Sequence, residues 1–136
     1  MAVTLTILVT LLSLLSSASC ARLVGGRTEI SDVRTNREVQ ELGRFAVEEY
    51  NRGLKLWENI NNNDEGREKL KFSEVVEAQR QVVSGVKYYL KISATTTNGN
   101  GLHKMFSSVV VVKPWLHSKQ LLHFAPASTT TTTVHD

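Results

Sequence analysis

Apolar and polar positions along this chain change their period more than once. The first nineteen residues show no alternation: Met1 to Ser19 carry no charged side chain, and Leu5 to Leu15 are dominated by Leu, Ile, Val and Thr. A helical period then takes over. Val39, Leu42, Ala46, Tyr50 and Gly53 recur on one face, Phe45 and Val47 widen the stripe, and Arg37, Glu38, Glu41, Arg44, Glu48 and Glu49 mostly take the opposite face. Thr35 followed by Glu38 reads as a capping box, with Asn36 as an alternative cap. The spacing predicts one amphipathic helix of about four turns, ending near Asn51 to Gly53. Asn59 to Gly66, with its run of asparagines, is a loop.

From Leu70 the period becomes two. Phe72 to Val83 alternates irregularly, and Val86, Tyr88, Leu90 and Ile92 then share one face while Lys87, Tyr89 and Lys91 share the other. Thr95 to Gly101 contains two Asn-Gly signals and joins this strand to Leu102–Lys113. Val109 to Val112 is apolar and β-branched throughout, which implies that both of its faces are at least partly covered. Pro114-Trp115 interrupts the run, because proline cannot donate to a ladder. A last short strand follows around Gln120 to Phe124. One helix and then hairpin-linked strands give an α+β fold, an antiparallel sheet of four to five strands wrapped around one long helix. The helix stripe and the inward strand face must bury one another.

Cysteine usage and the amino-terminal stretch change this picture. The apolar run is followed by Ser16-Ser17-Ala18-Ser19-Cys20-Ala21, the small-residue exit of a secretory signal peptide. It is shorter than the ~20 apolar residues that span a bilayer, and no basic flank follows closely. Cleavage fits after Ser19 or Cys20, with Cys20 preferred because Ala18 then takes the small-residue position upstream. Cys20 is the only cysteine in the sequence, so a mature chain from Ala21 has no disulfide and no thiol chemistry. The expected organisation is a signal peptide over 1–20, a flexible trunk over 21–27, one domain over 28–125 and a low-complexity Thr-rich tail over 126–136, expected to be disordered. The protein is expected to be secreted, to an extracellular or vacuolar destination, with no membrane association in the mature form. A formal charge of +3, from 16 basic and 13 acidic side chains, is too small and dispersed to indicate nucleic acid.

Catalysis finds no support in the residues. There is no Gly-x-Ser-x-Gly elbow, phosphate loop or His-Glu-x-x-His. His103, His117, His123 and His135 lack metal-ligand spacing, and Glu48-Glu49 diverge on the helix surface. The expectation is a non-enzyme without metal or cofactor.

Three segments are unusual for a merely structural domain. Gly25-Gly26 lies in the trunk; Gln81-Val82-Val83-Ser84-Gly85 places β-branched residues where a hairpin should turn; Pro114-Trp115 puts a large aromatic beside a rigid turn residue. In that order they resemble the cystatin family, whose pattern is a glycine near the mature amino terminus, a Gln-x-Val-x-Gly hairpin and a Pro-Trp hairpin. Leu42-Gly43-Arg44-Phe45-Ala46-Val47-Glu48-Glu49-Tyr50-Asn51 is similar to the helix signature of the plant members. The resemblance spans Leu23 to Phe124. Gly43 stands where many relatives have alanine, at a helix-propensity cost of up to ~1 kcal/mol. A single-domain form is expected, without the second cystatin-like repeat of some plant members, and a lone cysteine cannot form the paired disulfides of animal secretions.

The resemblance implies a reversible, tight-binding inhibitor of papain-like cysteine proteases, acting in plant defence or in control of endogenous proteolysis. Its trunk and two hairpins would enter the active-site cleft as a wedge. The binding residues so implied are Leu23, Val24, Gly25, Gly26, Gln81, Val82, Val83, Ser84, Gly85, Pro114 and Trp115, with Leu23 or Val24 in an apolar subsite. Trp115 should then be exposed in the free protein. A monomer is expected, with a domain-swapped dimer accessible because Val82 and Val83 are stiff and prefer extended backbone. The alternative is a secreted small-ligand-binding or storage protein on a similar helix-on-sheet fold.

Overall fold

A computed structural model describes residues 25–61, 67–99 and 101–128. The expected signal peptide, Leu23 and Val24, and the tail from residue 129 onward lie outside the described residues. In chain order the elements are β1 (Thr28–Glu29), α1 (Arg37–Asn61), β2 (Leu70–Val82), β3 (Val86–Thr96), β4 (His103–Lys113), a 3-10 turn (Pro114–Leu116) and β5 (Ser118–Pro126). The strands form one five-stranded sheet in the order β1-β2-β3-β4-β5, with every neighbouring pair antiparallel. The α+β architecture expected from the period change, one helix on an antiparallel sheet, is therefore present. β1, two residues long, is too short to show a period, which is why the helix looked like the first element.

The start of α1 is decided by Asn36. Its Oδ1 accepts from the backbone N–H of Val39 at 3.3 Å, whereas the Thr35 hydroxyl donates backwards to the Asp32 carbonyl. The Thr35 capping box is thus not formed, because Thr35 is used in the preceding turn.

The far end of the helix also differs from expectation, running to Asn61 rather than stopping at Asn51 to Gly53. Gly53 does not take the left-handed conformation of a terminating glycine. Leu54, which is buried, prolongs the apolar stripe of the helix by another position, and the Asn61 amide caps the last turn by donating to the Trp57 carbonyl.

The core lies between α1 and the inward face of the sheet. Val39, Leu42, Ala46 and Val47 meet Val75, Ala78, Tyr88, Leu90, Ile92, Ala94, Phe106 and Val110. The residues of β3 expected to point inward do so. Tyr50 stacks on Phe124 at 4.6 Å between ring centroids, and Phe124 on Phe106 at 5.2 Å, closing the core toward β5.

The irregular alternation of β2 has a structural counterpart in two register shifts, between Phe72 and Glu74 and between Val75 and Glu77. Such bulges free backbone groups from the ladder. Two helix amides take up backbone groups along this strand. Gln40 accepts from the Val75 N–H and donates to the Val75 carbonyl, at 3.0 and 3.1 Å. Asn51 does the same for Leu70, at 2.9 and 2.8 Å. The asparagine closing the helix signature thus pins α1 to β2 by backbone recognition. Gly43 is buried where the helix crosses this strand. A Cβ there would collide with Val75 Cγ2 and stand 2.9 Å from the Phe72 ring.

Candidate functional site

β2 and β3 hold their register to the pair Val82–Val86, leaving Val83-Ser84-Gly85 to turn the chain. The Val83 N–H donates to the Gly85 carbonyl at 2.9 Å. Positive φ angles fall on Ser84 (40°) and Gly85 (121°), and on neither valine. The stiff β-branched pair therefore keeps ordinary backbone, while the turn is made by the next two residues. Val82 is left 65% exposed.

Gly85 is required twice, once for its φ and once for space. A Cβ at this position would lie 3.0 Å from the Val112 carbonyl oxygen, 3.3 Å from Lys113 Cγ and 3.6 Å from Trp115 Cη2. The first hairpin is thus seated directly against the second.

In that second hairpin, Lys113 is extended, as a residue before proline must be, and Pro114 opens a 3-10 turn. His117 closes it in the left-handed region, its N–H donating to the Pro114 carbonyl at 3.1 Å. Trp115 and Leu116 are each 61% exposed, so Trp115 is not a core residue. Leu116 was missed by the sequence reading, although the signal that marked Val82-Val83, apolar residues inside a turn, applied to it equally.

The trunk reaches the same edge. Thr28 pairs with Arg80 and Glu29 with Gln79, which lays the preceding residues along the end of β2. Gln81 Nε2 donates to the Gly25 carbonyl at 2.9 Å across 56 positions of sequence. A Cβ on Gly25 would be only in ordinary contact, 3.6 Å from the Val82 carbonyl, and one on Gly26 would meet nothing. In the free protein neither glycine is needed for space or for positive φ, so any such requirement arises against a partner.

Of the sequence-derived site residues, Gly25, Gly26, Gln81 to Gly85, Pro114 and Trp115 converge on one end of the sheet, and Leu23 and Val24 are outside the described residues. Residues 25–27, 81–87 and 113–119 contain Arg27, Lys87, Lys113 and Lys119 but no carboxylate, so the edge is electropositive. The Tyr88 hydroxyl is pushed above its usual range by burial and then by the Glu38 carboxylate that accepts from it at 3.3 Å. That group belongs to the core face and not to the edge. No group of three or more His, Cys, Asp or Glu among the described residues could hold a metal ion.

Comparison with known proteins gives this arrangement a family. A family model described as "SQAPI: Aspartic acid proteinase inhibitor" matches residues 30–127. "Cysteine proteinase inhibitor 4" of Oryza sativa subsp. japonica is 51% identical over 118 residues, covering 84% of this chain and 71% of its own length. "Cysteine proteinase inhibitor 2" of Arabidopsis thaliana is 48% identical over 109 residues, covering 76% and 73%. The chain belongs to the plant cystatins. Among solved cystatins, the salivary cystatin of the soft tick Ornithodoros moubata superposes with a TM-score of 0.55 at 20% identity, over 76% of this chain and 98% of that one. Dimeric human cystatin F does so with a TM-score of 0.53 at 20% identity, over 81% and 92%. These two share the fold. The family model's description speaks of aspartic proteinases and the plant cystatins' names of cysteine proteinases. The span matched by the family model begins beyond Gly25-Gly26 and covers the helix, the sheet and both hairpins of this chain.

Proposed function

We propose that this chain is a reversible inhibitor that plugs the active-site cleft of papain-like cysteine proteases with its trunk and two hairpins. One observation carries the reading. Val82, Trp115 and Leu116 stand exposed on hairpins locked together at Gly85, beside a trunk tied down by Gln81. Such an edge loses little conformational freedom on docking, which is how a modest interface reaches high affinity. Trp115 supplies the large stiff anchor of the kind that dominates interface energies. The inhibitor needs no catalytic group, because it blocks by filling the cleft without presenting a scissile bond to the thiol. A pocket between helix and sheet is not favoured, since Leu42, Val47, Ile92 and Val110 fill that space at 2% exposure or less.

Titration of a papain-like protease with the mature protein tests this. Stoichiometric, reversible loss of activity is expected, with a pepsin-like aspartic proteinase unaffected under its own assay conditions. Inhibition of the aspartic enzyme alone would replace the reading with the one in the family model's name. The same proposal includes entry to the secretory pathway, and a secreted form beginning at Ala21 by mass would support it.

Oligomerisation follows from the first hairpin. Ser84 is held at a positive φ that non-glycine residues rarely adopt. Straightening the turn relieves it and lets β1, α1 and β2 pair with the remaining strands of a second copy. Mild denaturant at high concentration should give a slowly reverting dimer that no longer inhibits, separable by size-exclusion chromatography.

A further inference from the structure

We propose that Tyr89 and Arg27, which lie outside the three binding motifs, are positioning residues that fix the trunk against the first hairpin by way of Gln81. This rests on the inhibitor reading for its functional meaning, though not for its geometry. Gln79 pairs with Tyr89, and Gln81, two residues further along β2, lies diagonally from Tyr89 on the same outward face. The Tyr89 hydroxyl donates to Gln81 Oε1 at 2.9 Å, and Gln81 Nε2 donates to the Gly25 carbonyl at 2.9 Å. The Arg27 guanidinium lies 3.6 Å from the centroid of the Tyr89 ring.

The chemistry of the three groups gives the chain a direction. The Gly25 carbonyl can only accept, so it must face the amide nitrogen of Gln81. The amide oxygen is then turned toward Tyr89, whose hydroxyl can donate to it. Without that hydroxyl the amide has one fixed end and is free to swing into solvent. Arg27 adds a second hold, a cation over the ring face, two residues from Gly25. Both holds converge on Tyr89. They matter because the ladder here is short: β1 contributes the pairs Thr28–Arg80 and Glu29–Gln79, followed by the bond from the Ile30 N–H to the Ala78 carbonyl. Side-chain contacts, rather than strand pairing, therefore decide where residues before Thr28 point. A trunk already pointing along the hairpin has less entropy to lose when it enters a cleft.

Tyr89→Phe tests this, since it keeps the ring under Arg27 and removes only the hydroxyl. Dissociation from a papain-like protease is measured for the mature protein and for a form trimmed to begin at Arg27, each with and without the substitution. About fivefold faster dissociation is expected in the full-length background, the usual worth of one hydrogen bond, and no change in the trimmed one. Arg27→Ala should act in the same direction in the full-length protein, and Arg27→Lys should recover part of the loss. Thermal stability should be the same for wild type and Tyr89→Phe. Equal rates in the full-length background, or the same acceleration in the trimmed one, would overturn the proposal. A second readout needs no protease: NMR order parameters of the Gly25 and Gly26 amides should fall in Tyr89→Phe. If the wild-type protein inhibits nothing, the inhibitor reading fails, and unchanged order parameters would still separately refute the relay.

Discussion

Ile92 and Trp115 are both large apolar side chains held by the same antiparallel sheet, yet Ile92 has no exposed surface while Trp115 leaves 61% of its own in water. The inward face of the sheet gains its free energy during folding, when Leu42, Val39 and Val47 of α1 cover it. The hairpin edge defers that gain. Its apolar groups stay hydrated, and Ser84 and His117 hold positive φ angles that contribute nothing to a core. A chain can hold such an edge only if the core is sufficient by itself, since folding leaves a net of about 5–15 kcal/mol for a domain. On the proposed function, stability and binding therefore fall to different residues, and substitutions can separate them.

The largest effect should come from the core. Leu42 is 1% exposed against the sheet, so Leu42→Ala is expected to cost about 2–5 kcal/mol in denaturant unfolding. At a temperature where the variant is still folded, its dissociation rate from the protease should match wild type. Trp115→Ala should do the reverse, weakening protease binding by about 2 kcal/mol or more with almost no change in melting temperature. A large fall in melting temperature for Trp115→Ala, or in protease affinity for folded Leu42→Ala, would break the separation.

How far the sequence revealed each region follows from the same contrast. The core was legible because burial leaves periods: Val39 to Tyr50 at helical spacing, and Val86 to Ile92 at spacing two. The edge was legible because it violates expectation, with valines and a tryptophan at turns, and because those residues match a known pattern. Features that leave neither trace were missed. β1 is too short for a period, and the helix beyond Gly53 was cut by reading glycine as a stop. The Gln40 contact to the β2 backbone and the Tyr89–Gln81–Gly25 chain depend on which strand residues bulge or lie diagonal, and the Asn51 contact on where β2 begins. No local pattern encodes that.

Gly43 is a smaller test on the core side. Propensity alone says that Gly43→Ala should gain up to about 1 kcal/mol. Packing says otherwise, because the new methyl would collide with Val75, a stiff side chain buried to 0% exposure, and approach the Phe72 ring. Overpacking costs about 1–3 kcal/mol, so net destabilisation of about 1 kcal/mol is expected, with inhibition unchanged. A stabilised variant would mean that helix and sheet can move apart at this crossing.

The smallest effect should come from Ser108. It is 2% exposed on the inward face, opposite Leu90 and Phe124, and its hydroxyl has no hydrogen-bond partner among the described residues. A hydroxyl taken out of water without a partner costs about 1–3 kcal/mol by protein mutational data. Ser108→Ala removes that cost together with one small atom, whose lost packing offsets part of the gain. Net stabilisation of about 1 kcal/mol or less is expected, a rise of a few degrees in melting temperature for a domain of this size. Affinity for the protease should stay constant, because Ser108 faces the helix and not the edge. A destabilised Ser108→Ala protein would instead show that the hydroxyl is satisfied by a buried water. A stabilised protein with altered protease affinity would show that strain in β4 reaches Trp115, and the division between core and edge would then have to be redrawn along that strand.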